Sequence, residues 1–147
     1  MITDALLTLS DAQALTATAF STNTVDLGNV TPKIDIAAGE PMAMTIAVDV
    51  TADATTGDET YTFEFVQSAN ANLSSPDILA QIAIARATLV AGFRFYIALA
   101  SGVITKRFVG AQYVLGGTTP LITVSSQIQP LSMVQNDKTY AKGYTIS

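Results

Sequence analysis

The sequence predicts an all-β domain, and three observations carry that expectation. Apolar residues recur with period two along several runs, Thr and Val are abundant, and Gly- or Pro-containing stretches separate the runs. The 147 residues fit a single domain, long enough to bury about two-thirds of its unfolded surface.

The elements follow in order. Short strand candidates lie at residues 6–9, 15–20 and 34–36, with Ser10-Asp11 read as a turn pair whose Asp bonds its local backbone. Gly39-Glu40-Pro41 reads as a turn leading into a strand. Over residues 42–50, Met42, Met44, Ile46, Val48 and Val50 alternate with small or polar residues, the pattern of a strand with one buried face. Residues 60–66 place Tyr61, Phe63 and Phe65 on one face. Residues 93–99 do the same with Phe93, Phe95, Ile97 and Leu99. Strands at 107–115 and 121–128 are joined by Gly116-Gly117-Thr118-Thr119-Pro120, a spacing that predicts a hairpin.

One stretch points elsewhere. Ser75-Pro76-Asp77-Ile78 has the form of a helix start, with Ser as N-cap and Pro in the first turn. Ile78, Ile82, Ala85 and Leu89 would then form an apolar stripe ending at Gly92. A strand would instead use Ile82 and Ile84 as inward residues. On residues alone the helix is slightly favoured. Residues 129–147 show no sustained period and read as an arm or tail, leaving 1–128 as the all-β domain.

Composition removes much chemistry. Without His or Cys there is no Ser-His-Asp triad, no imidazole base, no thiolate nucleophile, no disulfide and no His- or Cys-ligated metal. Trp is absent too, which thins the case for a sugar-stacking surface. An enzyme and a cofactor are therefore not expected. Only 13% of residues are charged, against about 25% in an average soluble domain, while mean hydropathy is +0.39. So sparse a solvating surface implies that part of it ends up against protein. Ala14, Thr16, Thr18, Thr123, Ser125 and Gln127 are the small uncharged residues that would suit such a contact.

The net charge of −5 is unevenly divided. Residues 1–85 hold eleven acids and one base, Lys33; residues 86–147 hold six bases against Asp137. Head-to-tail contact is one use of that polarity. Interleaving of strands from both halves, which mixes the signs, is the better reading.

Candidate sites each have a plainer competitor. Asp49, Asp53, Asp58 and Glu59 could surround a cation, but match no calcium-loop spacing and read better as a solvated turn. Asp11 and Glu40 lack the paired carboxylate that glycoside hydrolysis needs. Lys106-Arg107 is the one adjacent basic pair, too small for nucleic acid; a protein contact and a solvated strand end remain equally open. Gly116-Gly117 lacks the Lys of a phosphate loop. The start carries Asp4 and no basic region, so no secretory signal is expected. The long uncharged run at 108–136 is broken by Gly and Pro, so no membrane span is expected either.

Ser10-Asp11-Ala12-Gln13, Thr16-Ala17-Thr18 and Asp26-Leu27 resemble the opening of a phage capsid cement (decoration) family typified by the cement protein of a short-tailed Bordetella phage. The resemblance continues at Gly39-Glu40-Pro41, Val48-Asp49, Thr62-Phe63, Gln67-Ser68-Ala69, Leu89 and Ala91-Gly92. It extends to Lys106-Arg107-Phe108-Val109-Gly110 with Tyr113 and Gly116, and so spans most of residues 5–128. Phe108 departs from the expected Tyr, and the segment after Gln129 is longer than in the shortest members. Gly143-Tyr144-Thr145-Ile146 looks like a tail seen in some relatives.

The resemblance implies a jelly-roll β-sandwich with an extended C-terminal arm, on the outer capsid surface of the virion. It implies binding to the major capsid protein across capsomers, and self-association as a homodimer rather than a homotrimer. No catalytic residues, cofactor, nucleic acid or membrane come with it. It also turns residues 78–90 from helix toward strand and turn. Lys106, Arg107, Tyr140 and Tyr144 are the candidate protein-contact residues. The rival class is a carbohydrate-binding jelly-roll module of a phage tail or fibre, with a glycoside hydrolase third.

Overall fold

In a computed structural model the described residues are 4–29, 39–53 and 55–134. The strand candidate at 34–36, Lys33, and Tyr140 and Tyr144 of the arm lie outside them. Among the described residues nine strands make two antiparallel sheets: β1 (Thr8–Leu15), β2 (Ala19–Phe20), β3 (Val25–Asp26), β4 (Met42–Val50), β5 (Thr60–Ser68), β6 (Asp77–Ile84), β7 (Arg94–Leu99), β8 (Phe108–Gly116) and β9 (Ile122–Pro130).

One sheet has the order β1-β9-β4-β7; the other has β2-β8-β5-β6, with β3 also on β8. β2 and β3 meet successive stretches of β8, at Gln112–Tyr113 and at Phe108–Val109, and together act as one interrupted strand. Counted that way there are eight strands. Among them the chain changes sheet at every connection except β5 to β6. That winding is a jelly roll.

The core lies between the sheets. Tyr61, Phe63 and Phe65 of β5 are buried as the alternation predicts, opposite Met44, Ile46 and Val48 of β4. Phe63 meets Phe95 edge-on at 4.8 Å, and Phe93 stacks on Phe95 at 5.7 Å. Val50, expected on the buried face, is 49% exposed because the β4–β9 register shifts after Val48 and turns the strand end outward.

Several local expectations are corrected. Strands β8 and β9 form no hairpin: β8 pairs with β5, and β9 with β1 and β4. The Gly-Gly-Thr-Thr-Pro link crosses from one sheet to the other. Gly117 adopts φ +87° where the Asp58 backbone fills the space a side chain would take, and Asp58 accepts from the Thr118 N–H at 3.0 Å. Ser10-Asp11 is not a turn but part of β1, where a bulge separates Ser10 from Gln13 and Ala12 takes φ +47°. Residues 77–84 are strand β6, as the resemblance implies and unlike the helix slightly favoured on residues alone. Ser75 stands at φ +49°, which no helix N-cap uses, and Asp77 to Ile84 pair along β5 instead.

At the far end β9 runs on to Pro130 and meets a 3-10 turn, Leu131–Met133, whose first N–H bonds Pro41 at 2.8 Å. The first residues read as arm thus belong to the sandwich.

Candidate functional site

Charge is used within the fold. Lys106 Nζ meets Asp77 at 2.8 Å, and Arg86 approaches Glu59 at 4.0 Å. Arg107 grips Asp26 through Nε and Nη2, both at 2.7 Å, and lies 5.0 Å from the Phe108 ring centre. Each of these pairs joins an acid of the first 85 residues to a base of the remainder, so the winding mixes the signs as interleaving predicts. The Arg107 hydrogen bonds hold the Asp26 carboxyl down to about 2. Lys106 and Arg107 therefore sit side by side where the chain enters β8, each with an intramolecular acid. What prepares them is Gln67, buried on β5. Its Oε1 accepts from the N–H groups of Thr105 and Lys106, at 2.8 and 3.1 Å.

The acidic turn does not gather. Asp49 accepts from Ser125 at 2.6 Å, Asp53 from Thr55 at 2.6 Å, and Asp58 from Thr56 and Thr118 at 2.7 and 2.9 Å. Glu59, buried, accepts from the Thr56 N–H at 3.1 Å and from the Gly57 N–H at 2.9 Å, and hydrogen bonding to Thr56 lowers its pKa. These carboxylates shape loops. Among the described residues no three metal-ligating side chains cluster. No helix among them is long and apolar enough to cross a membrane.

Two surfaces remain open. A shallow cavity of about 120 Å³ on the four-stranded sheet is lined by Thr8, Thr45, Ala47, Arg94, Ser125 and Gln127 among others. Of the small residues expected at a contact, Ala14, Thr16 and Thr18 are exposed, Thr123 and Ser125 are half-buried, and Gln127 is buried. Thr18 and Ser125 also serve the fold. Thr18 bonds both backbone groups of Leu115, and Ser125 accepts from the Ala12 N–H at the bulge.

The second surface is the outer face of the five-stranded sheet. Phe20, Gln112, Glu64 and Gln81 align across β2, β8, β5 and β6. Beside this row Leu73 is fully buried from outside the sandwich. A left-handed backbone at φ +59° drives its side chain onto Gly110, where an added Cβ would lie 2.6 Å from a Leu73 methyl. Sequence reasoning passed over Leu73 and Glu64, and took Gln67 only as part of the resemblance, with no role assigned. A lone carboxylate between aromatic residues at 63 and 65 was the one signal available.

Fold and surfaces define a jelly-roll β-sandwich whose described charged groups mostly serve its own loops. The chain matches the sequence model of the Bbp16 family over residues 9–128, from β1 into β9, and it belongs to that family. The family's name points to a protein of Bordetella phage. No curated protein matches the chain.

Proposed function

We propose that this chain is a capsid cement, or decoration, protein, held on the outside of a phage head by the major capsid protein. The observation that carries this reading is Bbp16 membership running across nearly the whole jelly roll. A sparsely charged sandwich with a cavity on one sheet, lined mainly by uncharged residues beside Arg94, and a polar row on the other supports it. Such surfaces suit close packing against another protein layer.

The mechanism follows from linkage. Outward pressure in a filled head loads the joints between capsomers. A rigid clip that binds only the assembled lattice stabilises that state by mass action. A homodimer spanning two capsomers adds avidity, because its second contact becomes intramolecular. Rigidity comes from two sheets locked by one aromatic core. Lys106 and Arg107, with Tyr140 and Tyr144 of the C-terminal segment, are the contact residues of this reading; nucleic acid and membrane have no part in it.

The test is the copy number of the chain in purified virions relative to the major capsid protein. A ratio near one is expected for a cement protein covering the lattice. A handful of copies per particle would move the protein to the tail or portal, and absence from virions would end the structural reading.

A further inference from the structure

Two buried glutamates on neighbouring parts of the fold differ in a telling way. Glu59 has hydrogen-bond donors on both oxygens and Arg86 nearby. Glu64, only 6% exposed, has no hydrogen bond and no ion pair among the described residues, and its carboxyl oxygens keep a trace of solvent contact, since no fully buried side-chain oxygen among those residues lacks a partner. Strand alternation explains its place. Tyr61, Phe63 and Phe65 point into the core, so Glu64 must emerge on the opposite face of β5.

On that face the neighbours from every adjoining strand are uncharged. Thr62 and Val66 flank Glu64 along β5, Gln81 lies across on β6, and Gln112 lies across on β8 with Phe20 beyond it. Gln81 and Gln112 make no hydrogen bond among the described residues either. Three polar groups thus stand in a row about 10 Å wide, two strand spacings, with unused acceptors aimed outward. A carboxylate stripped of most of its water without a protein partner is costly, and natural proteins pair such groups. Lys106, Arg107 and Arg86 are engaged with Asp77, Asp26 and Glu59.

We infer that Glu64 is the anionic socket of a docking surface that receives one lysine or arginine side chain from the partner protein, with the Gln81 and Gln112 amides as flanking ligands. The inference rests on the reading above, in which that partner is the major capsid protein. Charge complementarity selects the occupant. A single carboxylate is too few ligands for a calcium ion, which takes six to eight oxygens. A basic side chain needs one carboxylate and neutral acceptors beside it, which this row supplies. Desolvation alone raises the Glu64 pKa, in keeping with a group built to be neutralised by something that arrives.

The experiment measures binding of the full chain to phage heads assembled without it, at several salt concentrations, for wild type and Glu64→Gln. Wild type is expected to bind with an affinity that falls as salt rises. Glu64→Gln is expected to bind at least tenfold more weakly, with a shallower salt dependence and a melting temperature no lower than wild type. Equal binding and equal salt dependence of the two proteins would overturn the socket while leaving the cement reading intact. A variant that binds heads normally but loses self-association would overturn it too, by giving Glu64 to a second copy. Failure of wild type itself to bind heads would overturn the cement reading and the socket with it.

Discussion

The hydroxyls of Tyr113 on β8 and Ser126 on β9 meet at 2.6 Å inside the core, joining the two sheets by a polar bond among buried apolar side chains. Tyr113 also lies 2.7 Å from the Ser10 hydroxyl. Because Ser10 gives its proton to Gln13, at 2.7 Å, Tyr113 must donate to Ser10 and Ser126 to Tyr113. The relay ends at Gln13, whose amide donates to Phe20 at 2.9 Å and accepts from Thr22. The β1 bulge sits within this relay, between Ser10 and Gln13.

Tyr113→Phe keeps the ring and removes the relay's centre, leaving Ser126 to find another acceptor in an apolar setting. The expected cost is about 1–2 kcal/mol, read by denaturant unfolding, with an unchanged slope. Head binding by the folded variant should match wild type.

Acid should loosen the fold through its paired carboxylates. Asp26 titrates at about 2 when folded against 3.8 unfolded, so its contribution is full above 3.8 and is lost as pH falls toward 2. Asp58, Glu59 and Asp77 are lowered as well and act in the same direction. Asp26→Asn should remove its part of that acid dependence, and raised salt should shrink the difference, since the pair is exposed. Melting temperatures between pH 5 and pH 2 read both effects.

Glu64 works with the opposite sign. Its pKa is raised by burial, so its ionised form weighs against folding above the ordinary value of 4.5. Glu64→Gln should therefore melt higher than wild type at neutral pH, with the gap closing as the medium is acidified below that value. A variant less stable than wild type at pH 7 would contradict the unpartnered carboxylate.

Leu73→Ala should cost about 3 kcal/mol, because a fully buried side chain is lost while the left-handed backbone keeps its strain. Proteolysis is expected to open the 69–75 loop first, at Asn70 and Asn72. Unchanged denaturant stability would show that the loop does not clamp the sheet.

Removal of residues 135–147 leaves every described strand in place. The truncated chain is expected to melt within a few degrees of wild type yet hold phage heads more weakly. Equal head stability with the truncated protein would exclude a role for that segment in attachment.

Long alternating runs were legible from sequence because burial on one face leaves a period-two record. Strands β4, β5 and β7 show this, as do the inward Tyr61, Phe63, Phe65 and Ile97. Which sheet a strand joins leaves no such record, so a short Gly-rich link after Gly116 looked like a hairpin when it crosses the sandwich. Strand β6 was ambiguous because it is an edge: Ile78 and Ile82 stay 53% and 37% exposed, and an apolar residue on an edge fits a helical stripe equally well. Lys106 and Arg107 were visible as a pair, but their acids, Asp77 and Asp26, come from distant strands that only the fold brings near. Glu64 was hidden for a related reason. What sets it apart is that no cation stands opposite it and no hydrogen bond reaches it among the described residues, a property of three strands at once.

The pairing of β1 with β9 also sets an order in time. Thr8 to Leu15 leave the ribosome long before Ile122 to Pro130, their ladder partners among the described strands, have been made. Until then β1 is an open ribbon, and the slow, sequence-distant closure that joins it to β9 must come last. A message cut short before codon 122 would thus yield no smaller working domain, only chains with bare strand edges for the cell's proteases to clear.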